Sequence, residues 1–125
     1  MLRHTKTALL LSVFPASLAI GPAQAEGDAA KGELLFKRCR ACHSTTEGQN
    51  KVGPSLHGVV GRKAGTAPGY KYSQAMLDSD ITWSEEMLDQ WLSGPKALVP
   101  GTKMIFPGFP SAEDRADVIA YLKQF

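Results

Sequence analysis

The two cysteines of the chain stand three residues apart in Cys39-Arg40-Ala41-Cys42-His43, with a histidine directly behind the second. Four chemistries use such a pair. A disulfide between them closes only a tiny ring and constrains little of the unfolded chain. A thioredoxin-like redox pair needs a βαβ setting, and the sequence has no period-2 runs to supply strands. A structural zinc site needs four ligands. Cys39, Cys42 and His43 give three, and His57 is the only other histidine after residue 25. The remaining chemistry is covalent c-type haem attachment, for which C-x-x-C-H is the signature. Two thiols on one helical turn reach two vinyl groups along a single porphyrin edge. The adjacent histidine then falls beneath the iron, and its neutral imidazole is a good iron ligand. The pattern predicts one haem c, tethered through Cys39 and Cys42 and ligated by His43.

The first 25 residues read as a secretory signal. Arg3 and Lys6 precede an apolar run from Thr7 to Ile20, and Ala23-Gln24-Ala25 gives an A-x-A cleavage site. The run is shorter than the roughly 20 residues that span a bilayer, and Pro15 interrupts it, so stable membrane insertion is not expected. Cleavage is expected after Ala25, leaving residues 26–125 as one periplasmic domain. Removing Arg3 and Lys6 takes Lys+Arg from 14 to 12, against 12 Asp+Glu. A neutral chain has no electrostatic footing for nucleic acid. A domain this small has a marginal core unless something adds to it, and a haem is a large apolar plate. A monomer is expected.

Helix signals are clear in three places. Asp28 caps a first helix running roughly to the cysteines, with Gly32 inside it at a cost of about 1 kcal/mol relative to Ala. A second follows Ile81-Thr82-Trp83, capped by Thr82 in a box with Glu85 or by Ser84, and Gly94-Pro95 stops it. A third starts at Ser111 and presents Val118, Tyr121, Leu122 and Phe125 as one stripe. A short helix between Ser73 and Asp78 is also compatible. From Ser44 to Lys71 glycines and prolines are dense and no element is predicted. A loop that long is uncommon in a small domain unless it is functional. The expected fold is all-α: three main helices, with long loops wrapped around the haem.

The other face of the iron decides what it can do. An open position permits gas sensing or peroxidase chemistry, whereas a strong-field ligand leaves only electron exchange. Met104 lies in a loop bounded by Pro100-Gly101 and Pro107-Gly108, rigid enough to hold a thioether over the iron, and is the expected sixth ligand. His57 and Met76 are rivals. Met87 sits on the apolar face of the second helix, where packing explains it.

The stretches GD..KGE.LF, CRACH, VGPSLHGVVGRKAG.APGY.YS, ITW.EE, PGTKMIF and IAYLK follow one another from Gly27 to Phe125. In that order they resemble class I cytochrome c of the mitochondrial and purple-bacterial type. The resemblance implies the small cytochrome c fold, with Cys39 and Cys42 as thioether residues and His43 and Met104 as axial ligands. It implies that the Pro54 carbonyl accepts the other ring N–H of His43, and that Arg62, Tyr72 and Trp83 contact the haem propionates, near which the Thr102 hydroxyl also lies. Gly32, Phe36 and Tyr121 match the contact between first and last helices. Trp91 stands where mitochondrial members carry a tyrosine, Met76 where they carry an asparagine, and Phe109-Pro110-Ser111 replaces a lysine-rich stretch.

The implied function is that of a non-enzymatic electron carrier. It would take one electron from a quinol-oxidising bc-type complex and pass it to a terminal oxidase or photosynthetic reaction centre. The alternatives are an acceptor dedicated to one periplasmic dehydrogenase and an open-site sensor or peroxidase. Seven cations and one acid, Glu47, lie between Lys37 and Lys71, whereas five acids and no cation lie between Tyr72 and Pro95. Arg38, Lys51, Lys96 and Lys103 are the expected docking residues for an acidic partner.

Overall fold

The computed structural model describes residues 26–125 and Phe14. The expected signal peptide and its cleavage site, residues 1–25, lie outside the described residues apart from Phe14.

Asp28 begins the first helix, α1 (Ala29–Phe36), by accepting hydrogen bonds on its side chain from the backbone N–H groups of Ala30 (2.9 Å) and Lys31 (3.2 Å). The helix ends at Phe36, short of the cysteines. Beyond it Lys37, Arg38 and Cys39 donate to carbonyls three residues back instead of four, and this tighter winding carries the chain through turns to Cys42. The last helix, α5 (Ala112–Leu122), is capped by Ser111, whose hydroxyl accepts from Asp114 N–H at 3.2 Å.

α1 and α5 form the largest helix–helix contact of the fold. Gly32 makes it possible, because a Cβ there would stand 1.9 Å from the carbonyl oxygen of Asp117. Phe36 and Tyr121 pack beside it with ring centroids 5.2 Å apart. A carboxylate is buried at the same crossing: Asp117, 3% exposed, accepts from Asp28 N–H at 2.6 Å. The expected apolar stripe on α5 is shorter than its periodicity suggests. Val118, Tyr121 and Leu122 are buried, but Phe125 is 38% exposed because the helix stops at Leu122 and leaves it beyond the last turn.

The middle of the chain contributes α2 (Gln74–Asp78), α3 (Glu85–Ser93) and α4 (Pro95–Leu98). Ser84 caps α3 through Met87 N–H at 3.1 Å. Thr82 does not form the box with Glu85. It is held extended, in an isolated antiparallel bridge to Lys63. Gly94 ends α3, and Pro95 opens α4 at a first-turn position where its missing N–H costs nothing. Among the described residues there are five helices and no strand, and no helix is long and apolar enough to cross a membrane.

The segment from Ser44 to Lys71 is ordered without helix or strand. Irregular backbone bonds, such as Gly53 N–H to Cys42 O and Leu56 N–H to Ser44 O (2.8 Å each), are joined by side chains that meet its backbone groups. Asn50 donates to Pro68 O (2.8 Å) and accepts from Ser55 N–H (2.9 Å). Ser55 donates to Thr46 O (2.6 Å), and Tyr70 donates to Val52 O (2.8 Å). The loop is thereby tied at both ends into a collar.

Candidate cofactor site

Helices and collar enclose a cavity of about 520 Å³, within the roughly 300–1,000 Å³ typical of sites that bury a small molecule or cofactor. Its walls are mostly apolar: Phe36, Leu56, Val59, Leu88, Leu92, Val118 and Leu122, with Trp83 and Trp91 as large plates. All eight residues expected at the site line it: Cys39, Cys42, His43, Pro54, Arg62, Tyr72, Trp83 and Met104.

Both thiols are free and half-buried. Burial pushes the Cys39 thiol up to about 11, against a smaller lowering by Arg38. The His43 ring is buried, and its Nδ1 lies 2.8 Å from the Pro54 carbonyl oxygen. A carbonyl only accepts, so Nδ1 carries the proton and Nε2 keeps its lone pair. Burial, the largest cause, keeps the imidazole below its ordinary value, with Lys51 adding to the lowering and the Pro54 bond opposing it. Gly53 lies flat against the ring, where a Cβ would be 2.3 Å from Cε1. The ring is thus fixed in tautomer by Pro54 and in orientation by Gly53.

Of the sulfur and nitrogen groups considered for the second axial position, Met104 and Met76 line the cavity, and His57 and Met87 do not. Met104 is half-buried on the loop after α4. Its N–H donates to Thr102 Oγ1 at 3.3 Å. Gly101 (φ 90°) and Gly108 (φ 102°) bend the chain on either side of it, in a region that disfavours side chains. Gly108 also passes so close to Ser93 that a Cβ would sit 2.2 Å from its carbonyl oxygen.

A polar corner completes the cavity. Arg62 donates through Nη1 to His57 O (2.7 Å) and through Nη2 to Ser55 O (3.0 Å), while its Nε is buried with no partner. An unpaired buried donor costs roughly 1–3 kcal/mol, so this corner calls for an acceptor. Tyr72 accepts from Ala67 N–H at 3.0 Å, which leaves its hydroxyl proton to give. Two free thiols, one imidazole lone pair, an apolar slot and a donor-rich corner suit a haem: thioether tethers, an iron ligand, a macrocycle and carboxylates.

Sequence reading missed the apolar walls drawn from the collar, Val52, Leu56 and Val59. The only signal for them is that they are apolar residues inside a loop next to a cofactor motif. Arg40 is paired with Glu33 (3.5 Å) and Lys63 with Asp80 (3.1 Å). Among the described residues Arg38, Lys51, Lys96 and Lys103 make no ion pair. Arg38 and Lys103 border the cavity, whereas Lys96 does not.

The cytochrome c family pattern matches residues 29–125. The chain is similar to cytochrome c2 of Blastochloris viridis, 48% identical over 118 residues that cover 94% of this chain and 92% of that protein. It is similar also to cytochrome c2 of Rhodomicrobium vannielii, 52% identical over 101 residues, 80% of this chain and 81% of that protein. Among solved structures, cytochrome cH from Methylobacterium extorquens superposes with a TM-score of 0.75 at 52% identity, covering 79% of this chain and all of that one. The chain therefore belongs to the cytochrome c family, as an electron-transfer protein and not an enzyme, with a c-type haem attached covalently through Cys39 and Cys42.

Proposed function

We propose that this protein is a soluble periplasmic shuttle, exported by a signal cleaved after Ala25, with His43 and Met104 as axial ligands. It carries single electrons from a quinol-oxidising bc-type complex to a terminal oxidase or photosynthetic reaction centre. The observation that supports the ligand assignment is that His43 and Met104 line one cavity, from which His57 and Met87 are absent; Met76 lines it too, but from α2, with its sulfur 4.0 Å from Ser79 Oγ. The haem supplies reversible one-electron chemistry at iron, with a thioether ligand favouring the reduced form.

The chain's own residues do the rest. Pro54 and Gly53 hold His43 in one tautomer and one plane, with Nε2 left to ligate the iron. Arg62, Tyr72 and Trp83 would hold the propionates, and Arg62 Nε would gain its missing acceptor there. The apolar walls exclude water. Arg38, Lys51, Lys96 and Lys103 stand outside every ion pair among the described residues, which suits brief docking to an acidic surface.

Carbon monoxide tests the ligand set. The ferrous protein should not bind it at neutral pH, and Met104→Ala should bind it and lose the sulfur–iron absorption band. If Met104→Ala keeps that band, the sixth position belongs to Met76.

A further inference from the structure

The chain around Met104 is weakly held by its own backbone. Residues 105–108 make no backbone hydrogen bond, and Met104 N–H reaches only a side-chain oxygen. Ile105, next to Met104, borders the cavity but is 93% exposed and buries too little to retain the segment. Yet Met104 and Phe106 both face the cavity, so some contact must keep this segment seated.

Phe109 provides the fixed point. It is 1% exposed, and its N–H donates to Leu92 O at 2.7 Å. Its carbonyl accepts from Arg115 Nη1 at 2.9 Å, and Arg115 is itself paired with Asp89 at 2.7 Å. Phe106 meets Phe109 edge-on, with ring centroids 5.1 Å apart. Arg38, the residue before the first tethering cysteine, closes the arrangement. Its guanidinium carbon lies 5.3 Å from the Phe106 centroid and 5.0 Å from that of Phe109, both within the roughly 6 Å range of cation–π attraction.

We infer that Arg38 is a latch: its guanidinium, laid over Phe106 and Phe109, holds residues 104–108 against the cavity mouth and so positions Met104. The inference rests on the Met104 reading for its effect at the iron. A planar, weakly hydrated guanidinium stacks on aromatic faces better than an ammonium, so Arg38→Lys should keep only part of the effect. Because Arg38 adjoins Cys39, the latch joins the tethering segment directly to the distal loop, through side chains alone.

The test uses the ferric, haem-loaded protein and follows imidazole displacing the sixth ligand, at imidazole concentrations where opening of the loop sets the rate. Arg38→Gln should raise that limiting rate on the order of tenfold, as expected for losing attraction to two rings, and Arg38→Lys should raise it less. Combining Arg38→Gln with Phe106→Leu should add little to either change alone. Lys37→Gln, which removes a neighbouring exposed charge, should leave the rate as it was. An unchanged rate in Arg38→Gln overturns the latch, and so does an equal rise in Lys37→Gln. A lower Tm in Arg38→Gln with unchanged imidazole entry also overturns it, because Arg38 would then be merely structural. If Met104→Ala retains the sulfur–iron band, it is the ligand assignment that fails. The Arg38→Gln rate still decides the latch.

Discussion

Gly32 and Asp117 meet backbone to side-chain-free surface: α1 has no atom where a Cβ would lie 1.9 Å from the Asp117 carbonyl oxygen. Gly32→Ala must therefore push the two helices apart. The gain of about 1 kcal/mol in helix propensity is outweighed by overpacking against backbone, which costs about 1–3 kcal/mol or more. The expected result is a Tm lower by roughly 10 °C for a domain of this size. A Tm equal to that of the unsubstituted protein would mean that the crossing is not rigid.

The steric role of Gly53 is separable from conformational strain. Its φ is not in the left-handed region, so the first obstacle to Gly53→Ala is the His43 ring, 2.3 Å from Cε1 and 2.7 Å from Nδ1. Gly48, with φ 70° and open space around it, offers the opposite case, where alanine costs only the roughly 1–2 kcal/mol of a left-handed residue. Gly53→Ala should shift the proton resonance of His43 Nδ1–H and lower the yield of haem-loaded protein, whereas Gly48→Ala should do neither. Equal spectra for the two variants would remove Gly53 from the site.

Arg62→Gln removes a positive charge beside the cavity together with the buried Nε donor. Reduction adds negative charge there, so the reduced state loses more. The reduction potential should fall by up to roughly 60 mV, the equivalent of a tenfold change in a one-electron equilibrium. Potentiometric titration reads this directly, and a rise in potential would contradict the placement of Arg62 at the propionates.

Docking through cations that stand outside any ion pair predicts a salt dependence. The second-order rate of electron transfer with an acidic partner should fall as the Debye length shortens from about 30 Å to about 8 Å. Reversal of Lys96 or Lys103 should flatten that dependence. Lys123→Gln should not, because Lys123 is already committed to Glu85 (3.0 Å) and Glu26 (3.3 Å) on another face. A rate indifferent to salt would make the contact apolar.

The residues legible in the sequence are those whose role is local or whose spacing is chemical. The Cys39–His43 spacing, the Ser84 and Ser111 caps, the lone helical Gly32 and the Pro/Gly-bounded Met104 loop all announce themselves within a few positions. Asp117 does not. A carboxylate on a helix ordinarily reads as solvated, and its partner, Asp28 N–H, is 89 residues away. The collar was equally silent. Asn50 and Pro68, or Tyr70 and Val52, are paired across 18 residues with no periodicity to mark them. The Arg38 latch is hidden for the same reason, since its aromatic partners belong to a segment with no regular structure.

The contact between α1 and α5 turns the chain into a closed ring whose longest helix-free stretch holds the collar. Joining the ends of such a ring costs entropy that grows only with the logarithm of its length, about 0.6 kcal/mol per doubling. A few residues added at Gly48 or Gly58, where nothing lies within 4 Å of a Cβ, would change that cost by a small fraction of this. The collar's tips are where this chain can lengthen or shorten, while the spacings within α1 and α5 are bound to the crossing at Gly32.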